Sequence, residues 1–161
     1  MDKPLVYLET SVISYLAALP SRDLVVAAHQ QITREWMAEH RDSYHIFVSQ
    51  LVVREATAGD ENAVKRRLAI LQELELLALT DEATDLARAL IGRGAVPRQS
   101  VEDSLHIAVA AAHGMDYLLT WNCRHIANAI MRSRIVSVCQ SCGYEPPIIC
   151  TPEELVDATE R

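Results

Sequence analysis

Short apolar runs alternate along this chain with longer stretches in which apolar residues recur at helical spacing. The runs at residues 5–8 (LVYL), 45–48, 76–79, 117–120 (YLLT) and 148–150 read as strands, too short for helices and bounded by polar or turn-forming residues. Between them the periodicity predicts helices over 11–17, 22–40, 62–74, 82–91, 101–113 and about 130–142. Ser49 is placed to cap a further helix that Ala58-Gly59-Asp60 ends, and Gly114 stops the alanine-rich helix before YLLT. Thr151-Pro152-Glu153-Glu154 combines an N-cap threonine, a proline at the first helical position and a capping-box glutamate, which predicts a terminal helix. GRGAVPRQ reads as a loop. Strands alternating with helices predict an α/β fold with a mainly parallel sheet.

The 161 residues suit a single domain, 1–161, with a full core. Five glycines and six prolines leave no stretch resembling a linker. No apolar run approaches the roughly 18–20 residues that span a bilayer, so no membrane association is expected. An acid at position 2 and a strand-length first run argue against a signal peptide, giving a cytoplasmic protein with its four cysteines reduced. A net charge of −7 excludes a generally basic nucleic-acid binder. The basic residues are 13 arginines and 2 lysines, which leaves room for a local phosphate-binding stripe drawn from Arg22, Arg54, Arg66, Arg67, Arg98 and Arg124. A solvated surface with intrahelical ion pairs is the plainer alternative.

In a parallel sheet, sites form beyond the carboxyl ends of the strands. Glu9 directly follows LVYL, where glutamate is disfavoured and gains nothing from the sheet itself. Asn122 lies two residues past the end of YLLT, Asp103 opens the helix leading into it, and Glu55 borders the apolar face of the helix after the second strand. Inward carboxylates repel one another and lose hydration unless a cation joins them, and a hard divalent ion is the simplest resolution. Each residue also has a local reading. Asp103 is the third-position acid of a capping box with Ser100, Asn122 is an N-cap for 123–128, and Glu55 is a surface helix acid.

VYLETSVISYL, LVVREATAG and VEDSLHIAVAAAHGMDYLLTWNCRHIAN, followed by PPIICTPEEL, resemble the PIN-domain family in order along nearly the whole chain. The resemblance is greatest to the ribonuclease toxins of VapBC-type toxin–antitoxin pairs. It implies a three-layer α/β/α sandwich and an endoribonuclease that uses Mg²⁺ or Mn²⁺. The family's acids fall on Glu9, Glu55 and Asp103 as metal ligands, with Asn122 at a fourth catalytic position and Ser11 and Thr120 supporting. A homodimer, an RNA substrate and a small antitoxin covering the acidic site are also implied. The first acid of the family is usually aspartate, and Asn122 brings a carbonyl oxygen but no charge, which puts a second metal in doubt. These two departures leave an alternative: a catalytically weakened or inactive PIN domain that serves as an RNA- or protein-binding module.

Other constellations carry less. Cys139-x-x-Cys142 lies in a predicted helix rather than a zinc knuckle, so free thiols are expected. His106 is expected to pack or hydrogen-bond, His125 to lie on a helix surface or near the site, and Trp121 to stack on a base or pack over the sheet edge. Asp116, at the other edge of the sheet, is expected to be structural.

Overall fold

The computed structural model describes residues 2–157. Its strands β1 (Leu5–Leu8), β2 (His45–Ser49), β3 (Glu75–Leu77), β4 (Tyr117–Leu119) and β5 (Ile148–Cys150) form one parallel sheet in the order 3-2-1-4-5. The helices are α1 (Thr10–Ala17), α2 (Leu24–His40), α3 (Gln50–Ala56), α4 (Glu61–Leu71), α5 (Asp81–Gly92), α6 (Val101–Ala112) and α7 (Arg132–Ser141). Crossovers between parallel strands are right-handed. The steps β1→β2→β3 move one way across the sheet and place α1–α4 on one face. The steps β3→β4→β5 run back and place α5–α7 on the other. The packing agrees: α1 touches α2, α3 and α4, while α5 touches α6 and α7. The expected three-layer α/β/α sandwich is the fold.

The core follows from β1, whose Val6, Tyr7 and Leu8 are all fully buried between β2 and β4. Strands covered on both faces need continuous apolar runs, which is why residues 5–8 lack the alternation of a half-exposed strand. The outer strands β3 and β5 are three residues long and leave Leu76 and Ile148 exposed. Two predicted stops hold: Gly59 and Gly114 take φ of 96° and 70°, the left-handed conformation that glycine adopts without strain.

Two expectations are corrected. No helix forms over 151–157, although the Glu154 carboxylate accepts from the Thr151 backbone N–H at 3.0 Å as a capping box requires. The Leu155 carbonyl, which a helix would use internally, accepts instead from the Trp36 indole N–H at 2.8 Å. This turn anchors to α2, and residues 158–161 lie outside the described residues. The second correction concerns the start of α6. Ser100 makes no side-chain cap there, because its hydroxyl lies 3.2 Å from His125 Nδ1 and the proposed box with Asp103 does not form.

Candidate functional site

All five strands are parallel, so β1, β2 and β4 deliver their carboxyl ends to one edge. Glu9 stands there in extended conformation at the N-cap of α1, only 6% exposed. Its carboxylate accepts from the Ser11 backbone N–H at 2.9 Å, the Ser11 hydroxyl at 2.6 Å and the Thr120 hydroxyl at 2.6 Å. Ser11 and Thr120 thus both bond the Glu9 carboxylate directly. Three donors, two at charge-assisted distances, explain how an acid survives burial at the end of a strand.

From Thr120 a continuous chain of bonds reaches Asp103. The Asn122 backbone N–H donates to Thr120 Oγ1 at 2.9 Å, and the Asn122 amide donates to Asp103 Oδ1 at 3.0 Å. The amide orientation is fixed by chemistry, because Asn122 Oδ1 accepts from the His125 backbone N–H at 3.1 Å. Asn122 thus caps the turn after β4 with its oxygen and holds Asp103 with its nitrogen. The carbonyl oxygen considered as a cation ligand faces the turn instead. On the other side, His125 Nδ1 lies 3.1 Å from Asp103 Oδ2. Burial pushes the Asp103 carboxyl above its ordinary value; the hydrogen bond and charge of His125 pull it back, and the Glu9 charge raises it further. Glu9 and Asp103 are thus linked through Thr120 and Asn122 at the same edge of the sheet.

Glu55, on α3, joins from the side of β2. Its Oε1 lies 2.5 Å from Nε2 of His106, one turn beyond Asp103 on α6. His106 is buried, and its Nδ1 meets the Tyr7 hydroxyl at 2.6 Å, which in turn meets the Ser49 hydroxyl at 2.9 Å. Burial and the nearby charges of Glu9 and Glu55 drive the Tyr7 phenol far above its usual range, so it stays protonated. Sequence reasoning placed His106 as a hydrogen-bonding residue but missed Tyr7 and Ser49. The available signals were the two-residue spacing of Tyr7 to Glu9 along a strand and the three-residue spacing of Asp103 to His106 along a helix.

The donor set is entirely hard oxygen, the chemistry that suits Mg²⁺ or Mn²⁺. Among the described residues, however, no group of three or more His, Cys, Asp or Glu side chains stands in ready metal-ligand geometry. The hydrogen bonds just named engage one or both oxygens of each acid. Thr10, beside Glu9, has a buried hydroxyl oxygen without a partner.

The neighbouring residues also resolve several alternatives. Trp121 stacks on His29 with ring centroids 4.0 Å apart and donates from its indole N–H to Thr33 at 2.7 Å, so it packs over the sheet edge. Asp116 accepts from the Leu5 backbone N–H at 2.8 Å at the opposite edge and is structural. All four cysteines are free. Half of the proposed arginine stripe is engaged within the fold. Arg66 donates to the Ala17 carbonyl, Arg67 to those of Ala56 and Ala58, and Arg54 pairs with Glu102. Arg66 and Arg67 thereby cap the carboxyl ends of α1 and α3 and lock α4 against them.

Two solved structures share this fold. One is VapBC2 from Rickettsia felis bound to a DNA fragment from their promoter: TM-score 0.60 and 17% identity over 91% of this chain and 98% of that one. The other is Mycobacterium tuberculosis VapC20, described as a Sarcin-Ricin loop cleaving toxin, at TM-score 0.57 and 14% identity over 88% of this chain and 99% of that one. No curated protein sequence matches the chain. The PIN domain matches residues 6–128, the span from β1 through the turn that carries His125 and including all four candidate acid and amide positions, and the chain belongs to the PIN-domain family.

Proposed function

We propose that this protein is a metal-dependent endoribonuclease in which Glu9, Glu55 and Asp103 hold Mg²⁺ or Mn²⁺, and that it is the toxin of a type II toxin–antitoxin pair. PIN domains are in general nucleases that use divalent metal ions. The observation that carries the reading is the bonded path Glu9–Thr120–Asn122–Asp103, which brings acids from two distant segments to one sheet edge. A bound divalent ion would supply charge neutralisation at the scissile phosphate and a lowered pKa for the attacking water. The residues supply the rest. Ser11 and Thr120 fix Glu9, Asn122 and His125 fix Asp103, and a remaining lone pair on one of these carboxylates accepts the proton from water. Arg98 and Arg124, exposed and without partners among the described residues, lie on the two loops joined by the Ser100–His125 contact. They are suited to flanking phosphates of an RNA strand, which an acidic site would otherwise repel. The same reading includes a cytoplasmic setting, a homodimer and a small antitoxin that covers the acids.

The engaged carboxylates favour a second reading, a PIN domain that binds without cleaving. Cleavage of total RNA with Mg²⁺ or Mn²⁺, with and without EDTA, separates the two, using wild-type protein and Asn122→Asp. The nuclease reading expects EDTA-sensitive activity in the parent and an altered metal dependence in the variant, whose aspartate adds a charge but cannot donate to Asp103. Activity created only in the variant identifies a silenced site, and activity in neither supports the binding module.

A further inference from the structure

The chain Ser49–Tyr7–His106–Glu55 runs from the fully buried centre of the sheet to a carboxylate that is 31% exposed. We infer that Tyr7 and His106 are positioning residues that hold Glu55 by Oε1 and leave Oε2 as its single oxygen for a cation. The inference rests on the reading of Glu55 as a metal ligand.

Proton placement supports it. A carboxylate only accepts, so the 2.5 Å contact requires the proton on His106 Nε2. The Tyr7 hydroxyl then meets Nδ1 at 2.6 Å, either donating to the neutral ring or accepting from the charged one. Both arrangements leave Nε2–H pointing at Glu55. Ser49 completes the chain: its oxygen accepts from the Val52 backbone N–H at 3.3 Å, so its own O–H remains to satisfy the phenol. If Tyr7 served packing alone, a phenylalanine would fill the same space without burying a hydroxyl that needs two partners. Here both partners exist, and the chain ends on an acid. Anchoring Oε1 restricts the Glu55 rotamer before any ion arrives, so ion binding has less side-chain entropy to overcome.

Mn²⁺ titration by calorimetry, alongside thermal unfolding of the metal-free proteins, tests this in wild type, Glu55→Gln, His106→Leu, His106→Gln and Tyr7→Phe. Removing a group that orients a metal ligand weakens affinity by roughly 10–100-fold, so His106→Leu should bind Mn²⁺ about tenfold more weakly. Tyr7→Phe, which loosens the ring without removing the donor, should weaken binding by about threefold, below that range. His106→Gln places an amide N–H near the position of Nε2 and should return to within about twofold of wild type. Wild-type or tighter affinity in folded His106→Leu and Tyr7→Phe would overturn the inference. If His106→Leu does not fold, Tyr7→Phe alone decides. If wild type binds no Mn²⁺, or binds it equally well in Glu55→Gln, the ligand reading fails first and the positioning role falls with it.

Discussion

Glu9 and Asp116 sit at opposite ends of the paired strands β1 and β4, and each accepts a hydrogen bond from the other strand's segment. Asp116 precedes β4 and takes the Leu5 N–H, while its own N–H and carbonyl bond Leu5 and Ile148 at 2.9 Å each. It is exposed, and its side chain does one job, satisfying the first amide of β1. Glu9 follows β1 and takes the hydroxyl of Thr120 just past β4, but it is buried, accepts three hydrogen bonds and shares its surroundings with Asp103. An acid that closes a sheet needs one donor and water. An acid kept buried near the end of a strand needs a built shell of donors, as Glu9 has.

The comparison breaks most sharply through Asp103. On the proposed nuclease reading, Asp103→Asn lowers RNA cleavage by more than about 100-fold, beyond the range for outer-shell losses, and abolishes any rise in thermal midpoint given by Mn²⁺. Unchanged cleavage would place the chemistry elsewhere. The two edges can next be set against each other in stability. Thr120→Val removes a charge-assisted bond to a buried carboxylate and should cost about 1.5–3 kcal/mol, whereas Asp116→Ala removes an exposed one and should cost about 0.5–1.5 kcal/mol. Denaturant unfolding of both variants measures the order, and the reverse order would contradict the assignment.

A pH series sharpens the same contrast. The Asp103 carboxyl is raised above 3.8, chiefly by burial, so the folded state binds that proton more tightly than the unfolded chain. Its contribution therefore favours folding at low pH and declines as pH rises from 3.8 through the raised folded value. In metal-free Asp103→Asn this decline should disappear, read from midpoints across that window. The smallest effect concerns the thiols. Burial pushes Cys139 up to about 11 and Cys150 up to about 12, while Cys123, just past Asn122, is exposed. Iodoacetamide followed by mass spectrometry should therefore label Cys123 first and leave Cys139 and Cys150 unmodified in the folded protein.

Features carried by strong local chemistry were legible in the sequence. The buried strand at Leu5–Leu8 matches its apolar run, and Ser49 caps α3 by accepting from Val52 as its position suggested. The edge strand was expected at 76–79 and lies at Glu75–Leu77, because a strand with only Leu77 half-buried has little burial pattern to set its bounds. The terminal capping signal was read correctly as a local bond, but the tertiary claim of Trp36 on Leu155 overrides its continuation. The candidate acids were visible one by one: Glu9 follows a strand, Asp103 stands at a helix start, and Glu55 borders the apolar face of its helix. Their bonding was not visible, because Tyr7 meets His106 across 99 positions of sequence and Thr120 meets Glu9 across 111. The donor role of Asn122 was hidden for the same reason: an amide shows which way it faces only when both neighbours are in place.

The brevity of β3 and β5 bears on how this protein behaves when concentrated. An outer strand of three residues offers a visiting chain too few backbone groups to template an added strand. Its exposed Leu76 and Ile148 are single apolar residues rather than a continuous sticky rail. The sheet is thus sealed against lateral growth by its own shortness. Fibrillar aggregation through the sheet edges is disfavoured from the outset.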